Sequence, residues 1–173
     1  TMRKVDFGHF WEELELLKPI YSAAWAKNWS AVAMTDAEFR HLGAGLKTIA
    51  DQDLCYLAYI GDQPVGVFVA LADYWQPLRH MGGRMLPFGW LKFLWYRRKI
   101  DGIRVITMGV VPEFQKRGID MMLYAGVYEN GVAHGYHWAE MSWILETISL
   151  MRSAAEAIGG SIYKRYRIVE MPL

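Results

Sequence analysis

The fold of this chain is decided by the stretch Ile106-Thr107-Met108-Gly109-Val110-Val111-Pro112-Glu113-Phe114-Gln115-Lys116-Arg117-Gly118-Ile119-Asp120. Its first half is an apolar, partly β-branched run that predicts a strand ending at Pro112. A short turn then brings Gln115 to Gly118 to the start of a helix predicted over residues 118–133. Helix N-termini bind anions because their first amides lack partners, and glycine lets the backbone approach a ligand closely. The turn is therefore a candidate phosphate site, although an ordinary strand–turn–helix connection with solvated basic side chains explains the same spacing.

Hydrophobic periodicity on either side of this stretch predicts a mixed α/β layer structure. The predicted elements are, in order, helices at 10–25 and 36–50, strands at 54–60, 65–71 and 103–111, a helix at 118–133, a strand at 138–145, a helix at 149–158 and a strand at 162–171. Pro19 lies inside the first helix and predicts a kink or a break there. No strand is expected before that helix.

Composition limits the classes of function. The 173 residues are 53% hydrophobic and carry a formal net charge of +1, so a packed domain is expected and a wholly basic nucleic-acid binder is not. The single cysteine, Cys55, cannot form an internal disulfide or a thiolate metal cage. A lone cysteine suits a reducing compartment, so we expect a cytoplasmic protein. His, Asp and Glu residues show no metal-ligand spacing, so we expect no metal.

A basic, aromatic insert interrupts the α/β pattern at residues 73–102. Residues 79–104 contain seven Lys or Arg against Asp101 alone, interleaved with Trp, Phe and Tyr. Nucleic-acid stacking, a membrane-surface helix over residues 87–98, a face for a homodimer and a lid over an acceptor pocket all fit this composition. Overall neutrality disfavours nucleic acid. We expect a lid or packing flap, with no nucleic-acid or membrane partner.

The deciding stretch resembles motif A of the GNAT superfamily, the acyl-CoA-dependent N-acyltransferases. That motif is a strand with Val-x-Pro near its end, followed by Gln/Arg-x-x-Gly-x-Gly/Ala at the start of a helix. Val110-Val111-Pro112 and Gln115-Lys116-Arg117-Gly118 match it, whereas Asp120 replaces the final small residue. The resemblance implies an α/β fold with a GNAT-like mixed, mostly antiparallel central sheet flanked by helices. It also implies a single C-terminal-type domain over residues 1–173, either complete or part of a longer chain.

The resemblance further implies acetyl-CoA as the co-substrate. Its pantetheine arm would pair with the backbone of the strand end, and its pyrophosphate would lie on the amides of the turn. The implied cofactor-binding residues are Met108, Gly109, Val110, Val111, Gln115, Lys116, Arg117, Gly118, Ile119 and Asp120. Asp120 conflicts with this assignment if its carboxylate points inward, because it then repels a phosphate and competes for the same amides.

The catalytic residues are less well marked. Many GNAT members place an Asn at the start of a later helix and a Tyr seven residues on, and those positions here are Ile148 and Ala155. We expect Glu146, at the end of the strand predicted over 138–145, to be the general base, with Glu140 as the second candidate. A helix-capping role explains Glu146 equally well. Tyr163, with Tyr166 beside it, is the candidate acid, although packing explains a tyrosine on a terminal strand.

The expected function is transfer of an acetyl or related acyl group from acyl-CoA to a primary amine. The acceptor would be a small molecule or a peptide, and the basic insert suits one that bears a carboxylate. The alternative is a GNAT-like module that binds acyl-CoA or another ligand with little catalysis, as a regulatory or partner domain. The substitutions at Asp120, Ile148 and Ala155 favour that alternative.

Overall fold

The computed structural model of the chain describes residues 1–26, 28, 31–169 and 171. These residues form two compact units, Thr1–Ser142 and Trp143–Leu173. The first unit contains a five-stranded sheet with helices against it, and the second contains one helix. A single domain over the whole chain stays a prediction.

The sheet has the strand order β1-β2-β3-β4-β5. The first four strands are antiparallel neighbours, and the last pair is parallel. The strands are β1 (Met2–Lys4), β2 (Cys55–Ile60), β3 (Gln63–Ala72), β4 (Gly102–Val110) and β5 (Trp138–Met141). The prediction of a mixed, mostly antiparallel sheet is confirmed.

Six α-helices occur in the described residues: α1 (Phe10–Trp25), α2 (Asp36–Lys47), α3 (Trp75–Arg79), α4 (Gly89–Arg97), α5 (Ile119–Ala133) and α6 (Ser149–Ala157). The helix α2 begins with a capping box, in which Thr35 accepts from the Glu38 amide and Glu38 accepts from the Thr35 amide. The helix α1 continues through Pro19 without the predicted break. None of the described helices is both long and apolar enough to cross a membrane.

The sheet is covered on both faces. Ile20 of α1 packs with Leu57, Val67 and other alternate residues of β2 and β3. On the opposite face, Phe68 packs edge-to-face against Tyr124 of α5, with ring centroids 5.5 Å apart. Burial on both faces explains why β2 and β3 are nearly continuous apolar runs rather than alternating ones.

Three sequence predictions about strands are wrong. An opening strand exists, since Met2–Lys4 pairs antiparallel with β2. It is short and shows no apolar alternation, because Arg3 and Lys4 on this edge form ion pairs with Glu13 and Asp53. The strand predicted over 138–145 ends at Met141, where its pairing with β4 stops. Residues 162–169 and 171 form no strand, since these exposed residues pair with no neighbouring strand of the described chain, and position 170 lies outside the described residues.

Candidate functional site

The outer edge of β4 is open over its second half. The strand pairs with β5 only from Gly102 to Val105. From Thr107 to Val110 it pairs with β3 on its inner side and with no other strand of the described residues. This half of β4 therefore presents unpaired backbone groups on which an extended ligand can form hydrogen bonds.

A β-bulge marks the point where the edge opens. Val69 pairs with Thr107, but its neighbour Ala70 pairs with Val105, so Ile106 is the extra residue in β4. A bulge bends its strand and increases the local twist. This geometry separates the end of β4 from β5. It depends on cross-strand register, and the sequence of β4 gives no signal for it.

Gln115 links the turn to this open edge. Its side-chain amide donates to the carbonyl of Val110 at 3.0 Å. The Val111 amide donates to Val65 on the other side of the strand, at 2.9 Å. Because backbone groups alternate sides along a strand, the carbonyls of Val110 and Met108 face the open edge. The amide and carbonyl of Met108 and the amide of Val110 are thus directed at the open edge, while the Val110 carbonyl accepts from Gln115.

The turn contains two left-handed residues. After a 3₁₀ turn over Pro112–Phe114, Lys116 has φ 61° and Gly118 has φ 76°. A glycine adopts this conformation without strain, whereas a lysine does so at a cost that functional sites commonly carry. The space where a Cβ of Gly118 would lie is empty, so backbone conformation, not crowding, requires glycine here.

The start of α5 offers amide donors to an anion. The first intrahelical bond runs from the Met122 amide to the Gly118 carbonyl, at 3.0 Å. The amides of residues 119–121 therefore have no partner within the helix, and no side chain caps Gly118. Lys116 and Arg117 are exposed beside them. Exposed amides, the positive end of a helix and two cations are a donor set that fits a pyrophosphate.

An apolar cavity of about 60 Å³ lies between α1, α2 and the sheet. Its walls come from the inner faces of the two helices and from residues of β2, β3 and β4. Thr107 of β4 belongs to this wall and immediately precedes Met108 at the open edge. The lining residues include Phe10, Leu14, Tyr21, Phe39, Leu46 and Val69. The cavity thus adjoins the strand that carries the open edge.

Two curated proteins are similar to this chain in sequence. No family model matches the sequence. Two curated proteins are 35% identical to it: the bacterial ceramide synthase of Caulobacter vibrioides over 180 residues and Protein YghO of Escherichia coli over 177 residues. These alignments cover 100% and 98% of this chain but 47% and 45% of the relatives. The chain therefore spans about half the length of the curated relatives it matches.

Solved acetyltransferases superpose on the chain at low sequence identity. The aminoglycoside N-acetyltransferase AAC(6')-Iy, in complex with a CoA-containing bisubstrate analogue, has a TM-score of 0.62 at 16% identity and covers 100% of this chain and 98% of its own. The ribosomal-protein-S18-alanine N-acetyltransferase of Escherichia coli has a TM-score of 0.57 at 11% identity, over 92% of this chain and 76% of its own. The chain has the GNAT fold. The fold implied by residues 106–120 is confirmed.

A third solved structure with the GNAT fold is described as a transcriptional regulator from Bacillus halodurans C-125. It superposes with a TM-score of 0.64 at 12% identity, over 99% of both chains. Its description differs from those of the acetyltransferases although its fold agrees with theirs. Fold alone therefore does not decide the activity of this chain.

Asp120 lies in the first turn of α5, as expected, and it is half-buried. One turn further on, burial and then the charge of Asp120 raise the pKa of Tyr124 to about 12. The Tyr124 hydroxyl is buried without a hydrogen-bond partner in the described part of the chain. The sequence did not predict this buried, unpartnered hydroxyl, because the spacing of Tyr124 is that of an ordinary core residue in an apolar helix.

Glu140 is held by a guanidinium. Arg104 of β4 donates to both carboxylate oxygens of Glu140, at 3.0 and 2.8 Å. The same Arg104 lies 3.5 Å from the buried carboxylate of Asp73. Only 11% of the Glu140 side chain is exposed. Since both its oxygens are occupied, this pairing favours a structural role for Glu140 over the basic role predicted from sequence.

Glu146 and Tyr163 belong to the second compact unit. Glu146 lies five residues beyond the end of β5, with 82% of its side chain exposed and Arg165 3.7 Å away. Tyr163 is exposed, and the Lys164 ammonium lies 4.8 Å from its ring centroid. Ile148 directly precedes α6 and Ala155 lies inside it, and these are the positions that the resemblance assigns to the Asn and Tyr of many GNAT members. The catalytic roles of Glu146, Glu140 and Tyr163 stay predictions.

Proposed function

We propose that the chain is an acyl-CoA-dependent N-acyltransferase domain. The observation that carries this proposal is the continuity between the open β4 edge at Met108–Val110 and the glycine turn at Gln115–Gly118. An edge that accepts an extended, amide-containing chain ends at a group of amide donors suited to a diphosphate. Coenzyme A has this chemistry in this order, with a pantetheine arm bearing two amides joined to a pyrophosphate.

The open edge and the turn support specific proposed binding roles. Met108 and Val110 would pair with the pantetheine amides, and Gln115 keeps the turn at the end of the strand. The amides of residues 116–121 would hold the pyrophosphate, with Lys116 and Arg117 neutralising its charge. The bound acyl-CoA supplies the acyl group as a thioester. No group of three or more potential metal ligands occurs among the described residues.

The proposed reaction joins an amine to the acyl carbon. A C–N bond forms while the C–S bond breaks, and two protons leave the nitrogen. The base takes the first, which frees the amine to attack, and the departing thiolate receives one from the acid, which the second replaces. The products are an amide and free coenzyme A. We assign the base to Glu146, because its carboxylate is exposed, and the acid to Tyr163, since neither Ile148 nor Ala155 can donate a proton.

The acceptor is proposed to be a primary amine with a hydrocarbon chain. The cavity between α1, α2 and the sheet is lined almost wholly by apolar side chains and reaches β4 at Thr107. Such a lining stabilises a hydrocarbon chain and disfavours a polyhydroxylated or polycationic substrate. The name of the Caulobacter relative, a bacterial ceramide synthase at 35% identity, supports this choice because a ceramide is the N-acyl amide of a long-chain amino alcohol. This acceptor is preferred to the carboxylate-bearing one suggested by the basic insert.

The activity is tested with a matrix of thioesters and amines. Acetyl-CoA and palmitoyl-CoA would each be incubated with a long-chain amino alcohol, a short alkylamine and an aminoglycoside, and release of the CoA thiol and formation of the amide would be measured. We expect amide formation with the long-chain amino alcohol. Glu146→Gln should lower turnover about 10²-fold or more and leave coenzyme binding intact.

A ligand-binding module with little catalysis is the second candidate. Ile148 and Ala155 favour it, because neither residue can replace the Asn and Tyr that many GNAT members carry at these positions. Tight binding of coenzyme A without turnover of any amine would establish this candidate. Failure to bind coenzyme A would exclude the acyltransferase and would leave only a module that binds another ligand.

A further inference from the structure

The insert exposes an unusual amount of apolar surface. Its two short helices, α3 and α4, are joined by the loop at residues 80–88. Leu86 and Phe88 in this loop are 77% and 65% exposed, and Trp95 of α4 is 63% exposed. We name the insert face by six exposed apolar side chains: Leu86, Phe88, Trp90, Leu91, Leu94 and Trp95. A contiguous run of this kind on a soluble protein marks an interaction surface.

Folding of the insert does not explain this face. The inner side of α4 is attached by two ring stacks, Phe93 on Tyr74 at 6.2 Å and Tyr96 on His80 at 3.8 Å between centroids. Leu91, Leu94 and Trp95 point away from this inner side, because successive residues are rotated by about 100°, and the exposed Trp90 lies at its border. The helix is thus apolar on both sides. Only its inner side packs within the first compact unit.

Six cations surround the insert face. They are Arg79, Arg84, Lys92, Arg97, Arg98 and Lys99, and all six are exposed. None of them forms an ion pair with any residue that the structure describes. Lys99 lies over the Trp95 ring, with its Nζ 5.3 Å from the centroid. The face therefore combines indole rings and aliphatic chains with a rim of uncompensated positive charge.

We propose that the insert face binds peripherally to a lipid bilayer that carries anionic headgroups. Tryptophan is favoured at the membrane–water interface, and Lys and Arg at the rim are attracted to anionic lipids. The aliphatic Leu86, Leu91 and Leu94 would enter the acyl boundary. This assignment replaces two expectations from sequence, a lid and the absence of a membrane partner, because a lid would cover the apolar residues that are exposed here. It does not depend on the proposed acyltransferase activity.

Two other occupants fit less well. A second copy of the chain on a two-fold interface would bring twelve cations together, which repel one another strongly. A single-stranded nucleic acid needs aromatic stacking platforms, and three of the six side chains of the insert face are leucines. An anionic bilayer matches both features of the insert face, because its headgroups attract the cations and its acyl chains accept the apolar side chains.

The test is flotation of the 173-residue chain with vesicles. One set contains phosphatidylcholine alone, and the other contains phosphatidylcholine with phosphatidylglycerol. We expect binding to the anionic vesicles that weakens as salt is raised, and little binding to the neutral ones. The triple variant Trp90→Ser/Leu94→Ser/Trp95→Ser should bind the anionic vesicles at least tenfold more weakly. Tyr128→Ser, which removes an even more exposed ring from α5, should leave vesicle binding unchanged.

Two double variants, each with two positive charges removed, show which cations contribute to vesicle binding. Each Lys or Arg near a membrane surface contributes a several-fold factor, so Arg97→Gln/Arg98→Gln should weaken partitioning about tenfold or more. Arg40→Gln/Lys47→Gln removes the same net charge from α2 and should change binding little. Circular dichroism melting of every variant establishes that it is folded at the assay temperature.

Three results would overturn the assignment. The first is absence of binding to anionic vesicles by the folded chain. The second is equal loss in the α2 charge variant, which would mean that net charge and not the insert face is responsible. The third is concentration-dependent self-association, by analytical ultracentrifugation, that the triple variant abolishes without any vesicle binding by the unaltered chain. That outcome would make the face a homodimer interface.

Discussion

The side-chain amide of Gln115 lies 3.0 Å from the carbonyl oxygen of Val110, and this hydrogen bond ties the turn to the open end of β4. One side chain thereby fixes the spacing between the two parts of the proposed coenzyme site. The bond is local, five residues apart along the chain, yet it joins a strand edge to the approach of a helix N-terminus. Loss of this hydrogen bond should weaken ligand binding more than it lowers the stability of the fold.

We expect Gln115→Ala to weaken coenzyme A binding several-fold, because a net hydrogen bond is worth about 1 kcal/mol and the turn would lose its preferred position. The free energy of unfolding should change by less than about 1 kcal/mol, since Gln115 is exposed. Isothermal titration calorimetry and urea unfolding measure the two effects. A large loss of stability with unchanged affinity would mean that the bond supports the fold and not the site.

Asp120 is predicted to oppose the coenzyme. Asp120→Asn keeps the shape and removes the charge, and repulsion between partly exposed charges is on the order of 1 kcal/mol. Coenzyme A should therefore bind several-fold more tightly to the variant. Its melting temperature without ligand should fall slightly, because a carboxylate in the first turn stabilises a helix by about 0.5 kcal/mol. Unchanged or weaker binding would show that Asp120 points away from the phosphates.

Arg104 is predicted to be a structural residue. Arg104→Met would leave the carboxylates of Glu140 and Asp73 without their cation, and breaking a buried pair costs about 3 kcal/mol or more. Arg40→Met removes an exposed partner of Glu15 and should cost less than about 1 kcal/mol. Urea unfolding of both variants makes the comparison. Similar losses in the two variants would argue against a buried network.

Cys55 should be unreactive in the folded chain. The residue lies in β2 with 2% exposure, and burial raises the pKa of its thiol to about 12. A thiol in the unfolded chain ionises near pH 8.5, so at pH 8 the folded chain should hold about a thousandfold less thiolate. Labelling with a thiol reagent should follow unfolding in urea. Rapid labelling under native conditions would contradict the burial.

The raised pKa of Cys55 predicts that its contribution to folding stability decreases as the pH rises. The folded thiol holds its proton more tightly than the unfolded one, so its contribution to stability is complete below about pH 8.5. It is lost progressively as the pH rises from there towards about 12. Cys55→Ser or Cys55→Ala should flatten this part of the curve. A decline that is as steep in both variants as in the unaltered chain would assign the effect to other groups.

The strand–turn–helix at the centre of the site could be predicted because its signals are local. Pro112 ends a β-branched run and Gly118 adopts a left-handed conformation directly before α5. The capping box at Thr35 and Glu38 fixed the start of α2 for the same reason. In each case the residues that determine the structure are within a few positions of one another.

The features that could not be predicted depend on pairing between distant segments. The bulge at Ile106 exists only in register with Val69 and Ala70. The Arg104–Glu140 pair joins residues 36 positions apart, and an alternating strand pattern gave no reason to expect it. The exposure of the insert face is likewise a tertiary property, since the composition of residues 73–102 fitted a lid, a dimer face and a membrane-surface helix alike.

The central claim is that the turn before α5 binds the pyrophosphate of coenzyme A. Gly118→Val forces a β-branched residue into a left-handed conformation and should distort the turn. Gly135→Val is the matched control, because Gly135 has φ 81° just beyond the other end of α5 and equally empty space around it. Both changes should cost comparable stability.

The decisive measurement is the melting temperature of the unaltered chain, Gly118→Val and Gly135→Val with and without coenzyme A. At about a hundredfold excess over Kd, the ligand should raise the melting temperature of the unaltered chain and of Gly135→Val by about 5 °C or more. Gly118→Val, folded without ligand, should show no rise. An equal rise in all three proteins, or none in the unaltered chain, would contradict the account.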